Sequence, residues 1–116
     1  MKKYLHFING RYLEPESKEY FDTENPYTGE VWAQIPKGNS VDVNKAVESA
    51  SRAYEQEWST MNHTQRGKLL VNLASIIERE ASRLGHLEVK DNGKLLAEMG
   101  AQTKYLAEWY RYFGGL

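Results

Sequence analysis

The chain has 116 residues, enough for one domain of ordinary size. It contains no cysteine, which excludes a thiol nucleophile, a thiolate metal site and a redox pair within these residues. Its 15 Lys and Arg residues against 16 Asp and Glu residues give a net charge of -1, without the basic surplus of a nucleic-acid-binding protein. No apolar run approaches a membrane span or the core of a secretory signal. We therefore expect a cytoplasmic protein with no nucleic-acid or membrane partner.

Residues 1–37 are predicted to form two antiparallel β units. Asn9 and Gly10 stand between two β-prone runs, and both tolerate the positive φ that a two-residue type I′ turn requires. The second unit pairs residues 19–23 with residues 31–35 across a turn that contains Pro26 and Gly29. The aromatic residues of this region are expected to pack against the strands.

Residues 39–116 are predicted to form three to four helices. Asn39 followed by Asp42 is a variant of the capping box and predicts a helix over about 40–56. The remaining helices follow from further caps and apolar spacing. We place them from Asn62 to about Arg79, then after a possible kink to Gly93, and from Leu95 onward.

Histidine and carboxylate patterns give no catalytic or metal site. None of the three histidines has a second histidine at helical metal spacing. The carboxylates of residues 78–98 alternate with Lys and Arg, as on a solvated helix face. The nine glycines form no phosphate-binding motif. These residues alone indicate only a soluble α+β domain.

The last predicted helix is apolar on several sides, which is typical of a buried helix. Little sequence follows Phe113 to cover it. We expect that either a partner or a longer polypeptide supplies the cover.

An ordered series of segments carries a family resemblance. The segments are Phe7–Gly10, Asn25–Val31, Asp42–Val47, Ala53–Tyr54 with Trp58, Arg66–Leu70, Leu73–Ala74, Ile77–Glu78, Leu87–Glu88, Asp91–Lys94 and Arg111–Phe113. In this order they resemble the N-terminal part of the NAD(P)-dependent aldehyde dehydrogenase superfamily. The series extends over nearly the whole chain.

The resemblance implies an α+β fragment that opens an α/β Rossmann-like cofactor-binding domain. The family oxidises an aldehyde to a carboxylic acid through a catalytic Cys, with NAD or NADP as hydride acceptor and a Glu as general base. In the family these residues and the cofactor site lie beyond position 116, so we assign no catalytic or cofactor-binding residue here. The chain alone is expected to bind no cofactor and to be inactive. The full-length protein, which includes the rest of this polypeptide, is expected to be a homo-oligomer.

The resemblance also places a substrate entrance on the last helix, about residues 101–113. Ala101, Gln102, Tyr105 and Trp109 would line the aldehyde entrance of the full-length enzyme. The alternative is plain packing of Tyr105 and Trp109 against a neighbouring domain.

A structural monovalent cation, Na⁺ or K⁺, is the third implication of the resemblance. Its ligands here would be the main chain of Glu24, with Thr23 as a further candidate, and the side chain of Asp91. Hard cations prefer such oxygen ligands. Alternatively, Asp91 only hydrogen-bonds nearby backbone.

The alternative hypothesis is that the chain is a non-catalytic interaction module that uses the same N-terminal part of the fold as its scaffold. Codons downstream of residue 116 would distinguish the two. An in-frame continuation supports the enzyme fragment, and a native stop supports the module.

Overall fold

A computed structural model describes all residues 1–116 as a mixed α+β chain with two compact units, 1–60 and 61–116. The first unit contains five short strands and the first helix. Its strands are β1 (Lys2–Lys3), β2 (His6–Ile8), β3 (Arg11–Leu13), β4 (Tyr20–Glu24) and β5 (Val31–Pro36). Helix α1 (Ser40–Gln56) and a short 3-10 turn (Trp58–Thr60) follow. The second unit consists of helices α2 (His63–Asn92) and α3 (Leu96–Gly114).

The predicted hairpin at Asn9-Gly10 is confirmed. Asn9 has φ 53° and Gly10 has φ 71°, as a type I′ turn requires. Ile8 therefore pairs with Arg11, and β2 and β3 form a separate two-stranded sheet.

The second antiparallel pair, β4 with β5, is also confirmed. It belongs to a three-stranded sheet of order β1-β5-β4. The sequence did not predict β1, whose two residues pair parallel with Ala33 and Gln34. A strand of two charged residues has no alternating pattern of its own, so only pairing with β5 defines it.

Asp42 connects α1 to the loop after β3. Asp42 is 5% exposed, and its carboxylate accepts hydrogen bonds from the backbone N–H groups of Asn39 and Glu16, each at 3.1 Å. The N–H of Asp42 in turn donates to Oδ1 of Asn39 at 3.2 Å, which completes the predicted capping box. The nitrogen Nε2 of His6 lies 3.8 Å from the same carboxylate. The hydrogen bond from Glu16 spans 26 positions in sequence.

Helix α2 is one continuous helix of 30 residues, so the predicted end near Arg79 is wrong. The residues around that position are good helix formers, and Glu80 pairs with Arg79 and Arg83 across the expected kink. The capping box of Asn62 and Gln65 is confirmed. Gly93, at φ 73°, ends the helix in the left-handed conformation that the sequence predicted.

Helices α2 and α3 pack antiparallel through small side chains. The buried residues at this interface are Gly67, Ala74, Ala81 and Gly85 on α2, and Met99, Thr103 and Ala107 on α3. The buried face of α3 thus combines one large apolar residue, Met99, with the smaller Thr103 and Ala107. Small side chains let the two backbones approach closely, and the aromatic side chains of Tyr105, Trp109, Tyr112 and Phe113 remain exposed. No helix here combines the length and apolar character that crossing a membrane requires.

Candidate functional site

The exposed face of α3 carries a row of aromatic side chains. Tyr105 and Trp109 are one turn apart, and their rings meet edge to face with centroids 6.3 Å apart. Trp109 stacks on Phe113 at 6.5 Å, and Phe113 meets Tyr112 at 5.2 Å. Each of these four side chains is more than half exposed. We call Tyr105, Trp109, Tyr112 and Phe113 the aromatic row.

A groove of about 520 Å³ runs along the N-terminal half of this face. It is lined by Ala101, Gln102, Tyr105, Leu106 and Trp109. The four residues predicted at the substrate entrance therefore lie together on one surface. Leu106 was not predicted there, although its position one turn after Gln102 was a sufficient signal.

A second groove of about 360 Å³ continues the apolar surface toward the end of α3. Its lining combines Leu70 of α2 with Leu106, Trp109, Tyr110 and Phe113 of α3. Trp109 borders both grooves. The two grooves therefore form one apolar surface that centres on this side chain.

An ion-pair network fixes the C-terminal half of α3 on α2. Arg111 donates to Glu78 of α2 at 2.5 Å and to Glu108 of its own helix at 2.6 Å. The hydrogen bonds to Glu78 and then Glu108 raise the pKa of the Arg111 guanidinium above its ordinary value. The network orients the last two turns of α3, where three of the four residues of the aromatic row lie.

The chemistry of this surface is that of binding. The first groove is lined by an amide, a phenol, an indole and aliphatic groups, without a carboxylate, imidazole or amine. Such a surface can hold an apolar molecule and orient it through Gln102 or the Tyr105 hydroxyl. Apart from the Tyr105 phenol, its walls carry no acid–base or nucleophilic side chain.

The three predicted cation ligands lie at the ends of two elements. Thr23 and Glu24 are the last residues of β4, where a register shift interrupts its pairing with β5. Asp91 lies in the last turn of α2, two residues before Gly93. Thr23 and Glu24 belong to the first unit and Asp91 to the second. No group of three or more His, Asp or Glu side chains forms a metal site anywhere in the chain.

The glycines do not fit a dinucleotide site. Gly67 and Gly114 are used where α2 and α3 approach most closely, because a Cβ on either would meet the other's backbone. Gly10 and Gly29 occupy turns with positive φ. No glycine-rich loop opens onto a helix N-terminus in the manner of a phosphate-binding turn.

Comparison with known sequences gives consistent matches to one family. The sequence profile of the aldehyde dehydrogenase family matches residues 12–116. The (Z)-2-((N-methylformamido)methylene)-5-hydroxybutyrolactone dehydrogenase of Acinetobacter baylyi is 43% identical over 117 aligned residues, which cover 100% of this chain and 24% of that protein. The mitochondrial aldehyde dehydrogenase of Rattus norvegicus is 46% identical over 90 residues, covering 76% of this chain and 17% of that protein.

Solved structures agree with the sequence matches. Betaine aldehyde dehydrogenase from Staphylococcus aureus, in complex with NAD⁺, has a TM-score of 0.92 and 34% identity, covering 97% of this chain and 23% of that one. NAD-dependent aldehyde dehydrogenase from Sinorhizobium meliloti has a TM-score of 0.93 and 26% identity, covering 99% and 24%. The chain thus spans about a quarter of the length of these relatives.

Proposed function

The chain belongs to the aldehyde dehydrogenase family, and from that premise we propose that it is the N-terminal part of an enzyme that oxidises an aldehyde to a carboxylic acid with NAD or NADP. One observation carries the proposal: the matches extend along most or all of the chain but cover no more than about a quarter of each relative. The catalytic thiol, the general base and the cofactor site then belong to the rest of the polypeptide.

In this proposal, residues 1–37 and 39–116 together open a Rossmann-like cofactor-binding domain. The full-length protein is a cytoplasmic homo-oligomer. NAD or NADP, when bound by the later segments, accepts the hydride. The residues of this chain contribute positioning, since they include no thiol.

The 116-residue chain alone should have no dehydrogenase activity. Purified chain is mixed with NAD or NADP and a panel of aldehydes, and formation of the reduced cofactor is followed by absorbance. We expect no aldehyde-dependent signal, because covalent catalysis needs a nucleophile that these residues lack. A reproducible signal from contaminant-free material would refute this part of the proposal.

We further propose that the groove on α3 forms one wall of the aldehyde entrance. The support is the joint placement of Ala101, Gln102, Tyr105 and Trp109 on an exposed, largely apolar groove. A wall of this kind selects among aldehydes by shape and apolar contact, and it leaves cofactor affinity unchanged.

Tyr105→Ala in a full-length protein tests this role, with Tyr112→Ala as the matched control. The two tyrosines are 63% and 62% exposed on the same helix, but only Tyr105 borders the groove of Ala101 and Gln102. Tyr105→Ala should change the ratio of kcat/KM between bulky and small aldehydes and leave KM for the cofactor unchanged. Equal effects of both variants, or a uniform loss that follows lower stability, would support plain packing instead.

The cation site is proposed from Thr23, Glu24 and Asp91, with further ligands outside this chain. A carboxylate and main-chain carbonyls at a helix C-terminus and a strand end suit Na⁺ or K⁺. In a full-length protein, exchange of Na⁺ or K⁺ for a bulky organic cation at constant ionic strength should lower the Tm of the wild type. Asp91→Asn should respond much less. Equal responses of the two proteins would exclude Asp91 as a ligand.

A further inference from the structure

The chain contains the dipeptide Asn-Gly twice, at 9–10 and at 92–93, in two different local structures. Asparagine before glycine is the pair most prone to spontaneous deamidation, because glycine has no Cβ to hinder attack by its own backbone nitrogen. The reaction also needs an asparagine side chain that can turn toward this nitrogen. The two sites differ in whether hydrogen bonds hold the asparagine side chain and the glycine N–H.

At the hairpin turn, both reacting groups are free. Asn9 and Gly10 are exposed, and a Cβ built on Gly10 would have no heavy atom within 4 Å. The turn is closed by the pairing of Ile8 with Arg11, which leaves the two central residues outside the ladder. The Gly10 N–H donates to no acceptor, and the Asn9 amide has no hydrogen-bond partner.

At the end of α2, the same two groups are held. The Gly93 N–H donates to the carbonyl of Val89 at 2.9 Å. The Asn92 oxygen Oδ1 accepts from the Lys94 N–H at 2.9 Å, and its Nδ2 donates to Glu88 at 3.4 Å. Attack on Asn92 must break these hydrogen bonds and distort the last helical turn.

We propose that Asn9 is a site of spontaneous deamidation in the folded protein, and that Asn92 is protected by its hydrogen bonds. The Gly10 nitrogen forms a bond to Cγ of Asn9, the Cγ–Nδ2 bond breaks, and ammonia leaves with the amide proton. The product is a cyclic succinimide. Water then adds to either ring carbonyl, which gives aspartate or isoaspartate at position 9. No oxidant, reductant or enzyme takes part.

Isoaspartate at position 9 would alter the hairpin. In isoaspartate the main chain continues through the former side chain, so the backbone is one carbon longer. A two-residue turn does not accommodate this extra atom without a change in its geometry. The pairing of Phe7 with Tyr12, whose rings lie 5.1 Å apart, depends on that turn. Both products add a negative charge, and the isoaspartate product also disrupts the β2–β3 pairing.

The test is incubation of the 116-residue chain at mildly alkaline pH, followed by tryptic peptide mapping with mass spectrometry. Cleavage after Lys and Arg places Asn9 in the peptide Tyr4–Arg11 and Asn92 in Asp91–Lys94, so each site is quantified separately. In the native chain, we expect the 4–11 peptide to deamidate several-fold faster than the 91–94 peptide. Elution of separate aspartate and isoaspartate forms identifies the succinimide route.

Two controls separate folded geometry from flanking sequence. In concentrated urea, the two rates should converge, because both dipeptides are then unstructured. Asn9→Gln should abolish the reaction of the 4–11 peptide and leave the 91–94 peptide unchanged, since glutamine would have to form a larger and slower-closing ring. Equal native rates, a faster reaction at Asn92, or a ratio that persists in urea would each overturn the proposal.

Discussion

The close approach of α2 and α3 at Gly67 gives the sharpest stability prediction. A Cβ at Gly67 would overlap the carbonyl oxygen of Gly114, which is backbone and cannot rotate away. Gly67→Ala must therefore push the helices apart. Overpacking of this kind costs up to about 3 kcal/mol, and the better helix propensity of alanine returns about 1 kcal/mol. We expect a net loss of about 2 kcal/mol, or a decrease in Tm of roughly 8–16 °C for a small domain.

Gly100→Ala is the matched control. Gly67 and Gly100 are each the fifth residue of their helices, so the change in helix propensity is the same. A Cβ at Gly100 meets nothing within 4 Å. This variant should be more stable than the wild type by about 0.5–1 kcal/mol.

Urea unfolding of the 116-residue chain, followed by far-UV circular dichroism, measures both variants. The midpoints should move in opposite directions with little change in the slope m, because each variant alters stability and leaves the exposed area on unfolding unchanged. If Gly67→Ala is as stable as Gly100→Ala, α2 and α3 do not meet at Gly114 in solution. That result would refute the close packing of α2 on α3 at Gly67 and Gly114.

Two further variants test the helix starts. Asp42→Asn should lower the Tm at neutral pH. As the pH is lowered, the Tm of this variant should fall less than the Tm of the wild type. The hydrogen bond from the N–H of Asn39, more than any other interaction, lowers the pKa of the Asp42 carboxyl. The ionised carboxylate therefore stabilises the folded chain fully above the ordinary pKa of aspartate, and this stabilisation is lost as the pH falls through the lower pKa of the folded state. Asn62→Ala should cost about 1 kcal/mol in urea unfolding, because the N–H of Gln65 loses its capping acceptor. A flat acid response in wild type, or an unchanged midpoint for Asn62→Ala, would contradict these assignments.

Local signals predicted most of the secondary structure. The turn at Asn9 and the capping boxes at Asn39 and Asn62 each depend on residues within three positions, and the structure has all of them. The errors concern features that depend on distant partners. Strand β1 exists only through pairing with β5, and the hydrogen bond from the Glu16 N–H to Asp42 joins residues 26 positions apart.

Hydrophobicity alone predicts only part of the buried face of α3. A search for large apolar residues finds Met99 but misses Thr103 and Ala107, the other two residues that this helix buries. The choice is set by the glycines and alanines of the partner helix, which allow close backbone approach. The grouping of Ala101, Gln102, Tyr105 and Trp109 was available from helical spacing within one element, so it was easier to predict.

The exposed aromatic row implies that the stability of α3 depends on its surroundings. In the 116-residue chain, Trp109 is 54% exposed, so Trp109→Ala removes contacts mainly with Tyr105 and Phe113 and should lower the Tm only slightly. In a full-length protein whose later segments cover this face, the same change would remove a buried indole at a cost of roughly 3–5 kcal/mol. The test is to measure the decrease in Tm that Trp109→Ala causes in the 116-residue chain and the decrease that it causes in the full-length protein. Equal decreases would refute this expectation, because they would show that the later segments leave the row exposed.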